Sequence, residues 1–328
     1  MRVSLFGTEV TTTPLGFGCA SLMGRLTRRQ SLRLLDAAFD SGIRHFDTAP
    51  LYGYGEAESV LGDLLKRSRS RVTIATKCGI TPPKRSAALS VAKSASRALV
   101  AVFPQLRRHI RRRAEQMTHK GSFSVNECRR SLQNSLRELR TDYIDVLLMH
   151  EVAPEQITPE LIDFLEEVKK RGLIREYGTA TTVEHTTSIR SERLASGTIV
   201  QVPHCILENS REAFSLRSSA AVITHSPLGA QFRTLVGKMR SNPALCNLWS
   251  RELGIHCGDP SQVGTLLLAA AMKENSTGIV LFSSVHEEKI NQNAALLSEA
   301  RFSEGQLLAA KWMVLESMGK AECRHAAR

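Results

Sequence analysis

Four polar side chains lie at, or just beyond, the carboxyl ends of apolar segments that have the length and composition of β-strands. Asp47 comes near the end of RHFDTA, and Tyr52 follows it by five residues in the loop APLYGYGEAE. Lys77 ends VTIATK, and His150 ends DVLLMH. Packing alone does not explain a lysine or a histidine at the close of an otherwise apolar strand. Because α/β barrels carry their reactive residues at this end of their strands, we interpret the four as a candidate catalytic site.

These side chains suit the reduction of a carbonyl group. Hydride addition builds negative charge on the carbonyl oxygen, which needs a proton and electrostatic support in the transition state. A tyrosine with an ordinary pKa of about 10 is a weak acid at neutral pH unless its phenolate is stabilised. The ammonium of Lys77, held by Asp47, supplies that stabilisation, and His150 can hydrogen-bond the same oxygen. Each residue also has a purely structural interpretation, as a turn cap, rim aromatic, solvated strand end or core histidine, but their joint occurrence favours a site.

The chain alternates short apolar segments with amphipathic ones. Candidate strands are 15–20, 44–49, 72–77, 145–150, 175–181, 199–203, 222–227 and 278–284, and candidate helices between them are 28–41, 56–68, 124–139, 157–172, 183–194, 211–220 and 260–275. Eight such units predict an α/β fold of the (β/α)8, or TIM-barrel, type, whose buried parallel strands are nearly continuously apolar. A doubly wound open sheet is the alternative, but the first strand carries only Gly16-x-Gly18 of a GxGxxG phosphate loop.

Three segments fall outside this repeat, within what we expect to be a single domain over residues 1–328. The N-terminal MRVSLFGTEV predicts two short strands around Gly7-Thr8, a β-hairpin that plugs the bottom of the barrel. Residues 80–123 form a long basic insert after the third strand, with one portion, PQLRRHIRRRAEQM, that can form a helix. Two extra helices, at 286–300 and 304–318, follow the last strand.

The motifs around the candidate site resemble those of the aldo-keto reductase family. HFDTAPLYGYGEAESVLG resembles the signature around that family's catalytic Asp and Tyr, VTIATK its lysine strand, and SVNECRRSLQNSLRELRTDYIDVLLMH its histidine segment. The likeness runs from about residue 3 to residue 296, apart from the insert, and is closest to the aldose and L-galactose dehydrogenase-like members. It implies a catalytic tetrad of Asp47, Tyr52, Lys77 and His150. Tyr52 would be the proton donor in reduction, ahead of Tyr54, because the family's Asp-to-Tyr interval is five.

The same resemblance implies a nicotinamide cofactor, with departures from the family pattern. Gln201 matches the glutamine that hydrogen-bonds the nicotinamide carboxamide, whereas Ala180-Thr181 replaces a Ser-Asn pair, so Thr181 is the remaining candidate there. His225 stands where a tyrosine usually stacks on the ring. A loop from 228 to about 258 would cover the pyrophosphate. Further positions implied to bind the cofactor are Ser226, Leu228, Gly229, Ser284, Lys289 and Asn293. Lys289 replaces an arginine that grips the 2′-phosphate, which favours NADPH while leaving NADH possible.

Composition argues against several other classes of protein. The net charge is +12, but the segment from Lys84 to Lys120 contributes +9 of it, so the basic surface is local. Seven cysteines without a CxxC pair argue against a disulfide framework or a metal site. No stretch has the length of a membrane span, and the N-terminus lacks a signal pattern, so we expect a cytoplasmic protein.

The predicted function is NAD(P)(H)-dependent interconversion of a carbonyl compound (aldehyde, ketone or sugar) and an alcohol. The insert, by analogy with sugar-oxidising relatives, favours a carbohydrate-like substrate. One alternative is a barrel that binds the cofactor but serves as a regulatory or interaction subunit. Another is a binder of nucleic acid or of another acidic partner through 84–120. The scarcity of aromatic residues there counts against stacking on single-stranded nucleic acid, so we do not expect nucleic acid as a partner. The oligomeric state stays open.

Overall fold

The fold is that of a computed structural model, which describes residues 2–5, 8–24, 26–81, 121–192, 199–206, 220–229, 231–298 and 301–317. The basic stretch 82–120 and most of the predicted helix 211–220 lie outside these residues. The ends of the insert are joined, because Ser122 N donates to Gly79 O at 3.0 Å. Phe123 and Ile80 are buried beside this hydrogen bond.

Eight parallel strands close into a barrel in the order β10-β3-β4-β5-β6-β7-β8-β9, which confirms the predicted TIM-barrel fold. The strands are β3 Leu15–Gly18, β4 His45–Asp47, β5 Thr73–Cys78, β6 Ile144–His150, β7 Ile174–Ala180, β8 Ile199–Pro203, β9 Val222–His225 and β10 Ile279–Phe282. Nearly all of their residues are buried, as expected of strands that are covered on the outside by helices and face a filled interior.

The strands alternate with helices that cover the outside of the barrel. These are α1 Arg28–Asp40, α2 Ala57–Ser68, α3 Val125–Leu139, α4 Pro159–Lys170, α5 Val183–Glu192, α6 Gln231–Ser241, α7 Pro243–Leu253, α8 Pro260–Glu274, α9 Glu287–Ala294 and α10 Glu304–Ser317. Polar caps fix several starts: the side chain of Thr27 accepts from Gln30 N in a capping box, and Asp259 accepts from Ser261 N. The two last helices correspond to the two predicted after the final strand.

The predicted N-terminal hairpin is present, with β1 Val3–Ser4 antiparallel to β2 Thr11–Thr12. Its second strand begins just beyond the MRVSLFGTEV segment. Leu5 and Val10 are buried in one apolar cluster with inward-facing strand residues. Thr73 Oγ1, on β5, donates to Thr12 Oγ1 at 2.7 Å, so the hairpin closes the amino-terminal end of the barrel.

The expectation of a loop from 228 to about 258 was wrong, since α6 and α7 occupy most of it. Asn242 caps α7 by accepting from Leu245 N at 3.0 Å, and Gly254 ends this helix with a φ of +63°. Each helix buries a pair of apolar residues four positions apart, Leu235 with Met239 and Trp249 with Leu253, in a cluster that they share with α8 and α10. These caps and this spacing are standard helix signals in the sequence. They were overlooked because the family resemblance led us to expect a loop there.

No helix among the residues that the structure describes combines the length and the apolar character needed to cross a bilayer.

Candidate active site

A buried ion pair lies at the carboxyl end of the barrel. Asp47 pairs with Ala75 in the β4–β5 register, so Lys77, two residues further along β5, points to the same inner side. Lys77 Nζ lies 2.8 Å from both Asp47 oxygens and donates to Thr48 O at 2.9 Å. Lys77 is 1 % exposed and Asp47 4 %. All three ammonium donors thus have acceptors, which makes burial of the charge tolerable.

Tyr52 begins a short 3-10 turn, Tyr52–Tyr54, that follows β4. Gly53 has a φ of +60°, and a Cβ there would lie 2.7 Å from Leu22 O, so this close approach requires glycine. The turn brings the Tyr52 ring centroid to 5.0 Å from Lys77 Nζ. The ring also meets the imidazole of His150 edge-on, with centroids 6.2 Å apart and planes at 88°.

The pKa values of Tyr52 and Lys77 are both raised, so both residues keep their protons at neutral pH. Burial raises the pKa of Tyr52 above its ordinary value, and the neighbouring Lys77 ammonium opposes that rise. Burial alone would lower the pKa of Lys77, but Asp47 and Tyr52 reverse this and raise it. Tyr52 is therefore a neutral phenol and Lys77 a cation at neutral pH. A phenolate formed at Tyr52 would have its counter-charge already in place.

Two histidines at the mouth are neutral. Burial, with a further contribution from Lys77, lowers the pKa of His150 to about 3. Burial also lowers the pKa of His225, at the end of β9, although Asp47 opposes the shift. His150 Nδ1 is buried, and no described residue forms a hydrogen bond with it. A neutral imidazole beside Tyr52 can share a hydrogen bond with an oxygen without adding positive charge.

Gln201 reaches the same cluster from the far side of the barrel. Its Nε2 donates to Asp47 Oδ2 at 2.7 Å, and the side chain is buried. From the resemblance we expected Gln201 to bind the nicotinamide carboxamide. In the structure its amide nitrogen donates to Asp47 of the ion pair instead. Its neighbour in the register is Ala180, which pairs in turn with His150.

The cluster forms one end of a cavity of about 840 Å³. The four predicted catalytic residues line it, together with eight of the nine predicted cofactor residues: Gln201, His225, Ser226, Leu228, Gly229, Ser284, Lys289 and Asn293. Thr181 does not. It is buried behind the wall, with Oγ1 3.4 Å from His185 Nδ1, and Ala180 lines the cavity in its place. The structure therefore does not bring Thr181 to the site.

The far end of the cavity lies along α9. Lys289 and Asn293, four residues apart, share the helix face that lines it. Asn293 Oδ1 accepts from Thr265 Oγ1 at 3.0 Å, which leaves its amide nitrogen as a donor. Glu287 and Glu288 face away, toward a smaller cavity of about 340 Å³.

This cavity wall has the properties of a binding surface for a polar ligand. Ser21 Oγ and His150 Nδ1 both belong to lining residues and are buried without a hydrogen-bond partner in the part of the chain that the structure describes. The donors at the far end are the ammonium of Lys289 and the amide of Asn293, whereas the hydroxyl of Ser284 donates to His286 O at 3.2 Å. Such a donor set fits the anionic, adenosine-bearing part of a dinucleotide. The residues present therefore fit that cofactor.

Sequence reasoning missed several lining residues. Glu151 follows His150 directly and could have been found by extending the strand-end rule by one position. Ser283 lies likewise just beyond β10, and its Oγ donates to Gly18 O at 2.8 Å. Phe232 lies on α6 and Ser261 on α8. Phe232 was missed because a loop was expected where α6 forms. Among the residues described, no group of three or more His, Cys, Asp or Glu side chains is placed to hold a metal ion.

Comparison with known proteins identifies the family. The model of the aldo/keto reductase family matches residues 14–309. Pyridoxal 4-dehydrogenase of Microbacterium luteolum is 48% identical over 75 residues, which are 22% of this chain and 22% of that protein. L-galactose dehydrogenase of Arabidopsis thaliana is 27% identical over 317 residues, 90% of this chain and 88% of that protein.

Solved structures have the same fold. An aldo-keto reductase from Klebsiella pneumoniae in complex with NADPH superposes with a TM-score of 0.65 at 21% sequence identity, covering 99% of this chain and 97% of that one. Since the family model spans most of the sequence, the chain belongs to the aldo/keto reductase family, whose members are NAD(P)-dependent oxidoreductases.

Proposed function

We propose that the protein interconverts a carbonyl compound and an alcohol with NAD(P)(H), using Tyr52 as general acid and base. The observation that carries this proposal is the position of Lys77 Nζ. It is bonded to both oxygens of Asp47 at 2.8 Å and lies 5.0 Å from the Tyr52 ring centroid, in the wall of the cavity. The ion pair that holds the ammonium thus places its positive charge beside a phenol in the wall of an open cavity.

When bound, a nicotinamide cofactor would supply the hydride in reduction and accept it in oxidation. In reduction, the hydroxyl of Tyr52 donates its proton to the carbonyl oxygen as negative charge develops there. Lys77 stabilises the resulting phenolate, and Asp47 holds Lys77 in its charged state. His150, being neutral, orients the same oxygen by a hydrogen bond. In oxidation, Tyr52 takes the proton back.

NADPH is the proposed cofactor, with NADH as the alternative. Lys289 offers a positive charge from the cavity side of α9, while Glu287 and Glu288 on that helix line the other cavity. A 2′-phosphate at this end would therefore meet a cation without an opposing carboxylate. At the reactive end, Gln201 and His225 are the residues that would hold and stack on the nicotinamide.

The substrate is proposed to be a small aldehyde, ketone or sugar. The relative aligned over most of its length is named L-galactose dehydrogenase, which supports a sugar or another hydroxylated carbonyl compound. The open end of the cavity beside Tyr52, His150 and Glu151 is where such a molecule would enter.

Steady-state assays with two tyrosine variants test this proposal. Absorbance of the reduced nicotinamide would be followed with a panel of aldehydes, ketones and sugars. Tyr52→Phe should lower kcat by about a hundredfold or more, because only its proton is lost. Tyr54→Phe is the matched control, since Tyr54 belongs to the same turn but does not line the cavity. Equal activity of wild type and Tyr52→Phe would refute the role of Tyr52.

Cofactor binding is tested separately, by fluorescence quenching with NADPH and NADH. Binding of either without turnover of any compound in the panel would favour the regulatory barrel over the enzyme.

A further inference from the structure

Glu151 occupies a strained backbone position at the mouth of the cavity. It follows His150 at the end of β6 and has a φ of +55°, in the left-handed region that a glutamate rarely adopts. Its backbone nitrogen donates to Ala180 O at 2.8 Å, which fixes this conformation by extending the β6–β7 hydrogen bonds by one residue. This backbone conformation places the Glu151 side chain at the cavity wall.

The carboxylate placed there has no counter-charge of its own. Among the described residues, none donates a hydrogen bond to it or forms an ion pair with it, whereas Asp47 receives donors from both Lys77 and Gln201. Burial raises the pKa of Glu151, and the charges of His185 and Lys77 oppose the rise. Glu151 is nevertheless exposed on its outer side, so it can accept hydrogen bonds from a molecule in the cavity.

At the Tyr52 end of the cavity, the other described titratable side chains carry no net charge. Asp47 and Lys77 form a neutral pair, and His150 and His225 are uncharged at neutral pH because their pKa values are lowered. His185 lies behind the wall and does not line the cavity. Lys289 is at the opposite end, on α9. Among the described residues, Glu151 therefore carries the main unbalanced charge that a substrate beside Tyr52 meets.

We infer that Glu151 is a specificity-determining residue that accepts a hydrogen bond from a hydroxyl group next to the substrate carbonyl and rejects anionic substrates. The inference rests on the proposed function. The substrate class it assigns is uncharged 2-hydroxy carbonyl compounds, because Glu151 follows His150 directly and lines the same cavity as Tyr52 and His150, beside the proposed position of the carbonyl. Oxo acids and other carboxylate-bearing carbonyl compounds are disfavoured by like-charge repulsion.

Three small aldehydes separate these effects. Glycolaldehyde and propanal differ only in a hydroxyl in place of a methyl group, and glyoxylate carries a carboxylate at the same position. Hydrogen bonds to a charged acceptor correspond to about tenfold to hundredfold in kcat/KM, which sets the scale of the preference. Because burial raises the pKa of Glu151, the assays are run at about pH 8, well above the ordinary range of a carboxyl group.

The variants are Glu151→Gly and Glu151→Gln. Glycine removes the carboxylate and also relieves the positive φ, so this variant is expected to fold. Glutamine keeps a hydrogen-bond acceptor but removes the charge. Glu155→Gln makes the same charge change four residues away, on an exposed turn outside the cavity, and is the matched control.

We expect the ratio of kcat/KM for glycolaldehyde to that for propanal to fall about tenfold or more in Glu151→Gly and by less in Glu151→Gln. The ratio for glyoxylate to propanal should rise in both. Glu155→Gln should retain both wild-type ratios. Because hydration of each free aldehyde is the same in every assay, comparison between variants cancels it.

Ratios that stay within about twofold of wild type in both Glu151 variants, while Tyr52→Phe loses activity, would overturn the inference and leave the proposed function intact. A wild-type protein that reduces none of the three aldehydes, nor any member of the wider panel, would overturn both.

Discussion

Gln201 Nε2 lies 2.7 Å from Asp47 Oδ2, a hydrogen bond that joins β8 to β4. In the strand order these two strands are four places apart in a ring of eight, so the bond spans the barrel mouth. With Lys77 bound to both oxygens, the Asp47 carboxylate is held from two directions. The orientation of the proposed proton-transfer residues thus depends on a strand that the catalytic motifs do not include.

Replacing Gln201 with methionine should destabilise the fold, because a buried carboxylate loses a donor while the volume is nearly kept. We expect the free energy of unfolding to fall by about 1–3 kcal/mol, measured by urea denaturation. Gln201→Glu should cost more, since it buries a second carboxylate beside Asp47. Gln133→Met, on the exposed side of α3, is the control and should change little. A Gln201→Met protein as stable as wild type would show that the cross-barrel bond is unimportant.

Removing Lys77 should be more damaging than removing the whole ion pair. Lys77→Met leaves the Asp47 carboxylate buried and unpaired, for which we expect a loss of about 3–5 kcal/mol in the free energy of unfolding. The double variant Asp47→Asn with Lys77→Met should recover a substantial part of that loss while staying inactive. Equal stability of the single and double variants in urea titrations would contradict the proposed coupling.

Glu58, on α2, makes stability depend on pH. Burial raises its pKa to about 7 in the folded protein, against an ordinary value of 4.5, although a 2.6 Å hydrogen bond from Thr76 Oγ1 opposes the rise. The folded state therefore holds this proton more tightly than the unfolded state. Its contribution to stability is full below about pH 4.5 and is lost as the pH rises through about 7.

Glu58→Gln should remove this pH dependence. The amide keeps an acceptor for Thr76 and carries no charge, so the variant should exceed wild type by about 3 kcal/mol at most at pH values above 8. The measurement is the free energy of unfolding from pH 4 to 9. A variant that parallels wild type across the whole range would rule out Glu58 as the titrating group.

The pH profile of carbonyl reduction should reflect Tyr52 and not the histidines. His150 has its pKa lowered to about 3 and that of His225 is also lowered, so neither changes charge near neutrality. The pKa of Tyr52 is raised from 10.0, so its proton remains available. We expect kcat/KM for reduction to stay flat from about pH 6 to 9 and to fall only at higher pH. A step near pH 6.5 that vanishes in His150→Gln would disprove the neutral histidine.

The sequence was sufficient to predict which residues meet at the barrel mouth. Parallel strands end at one face, so a polar residue that closes an apolar strand is placed there whatever its side-chain conformation. This reasoning located Asp47, Lys77 and His150 from strand ends alone. Tyr52 needed the resemblance to distinguish it from Tyr54, because both belong to the loop after β4 and only the turn geometry decides which ring faces Lys77.

Features that depend on side-chain contacts across the barrel could not be predicted. Nothing in IVQVP indicates that Gln201 bonds to Asp47, since β8 and β4 are far apart in the chain. Thr181 was assigned by its resemblance to a family position, but the strand ends at Ala180 and the threonine lies outside the cavity wall. The helices α6 and α7 could have been predicted from their caps and apolar spacing, and the expected loop obscured them.

The orientation of α9 leads to a prediction about cofactor preference. Lys289 lines the main cavity, and Glu288 lines the smaller one, which adjoins it at Val285 and His286. Lys289→Ala should weaken NADPH binding by about tenfold and leave NADH nearly unchanged, because only NADPH carries the 2′-phosphate. The NADPH effect should shrink at high salt, since Lys289 is exposed.

Glu288→Gln should leave the preference unaltered if its side chain faces away from the phosphate, and Lys289→Arg should strengthen it through a bidentate contact. Fluorescence titrations of these variants with both cofactors measure the dissociation constants. A loss in Lys289→Ala that is equal for NADPH and NADH would mean that the lysine contacts a group common to both, such as the pyrophosphate. In that case the 2′-phosphate would have to be recognised elsewhere, or the protein would prefer NADH.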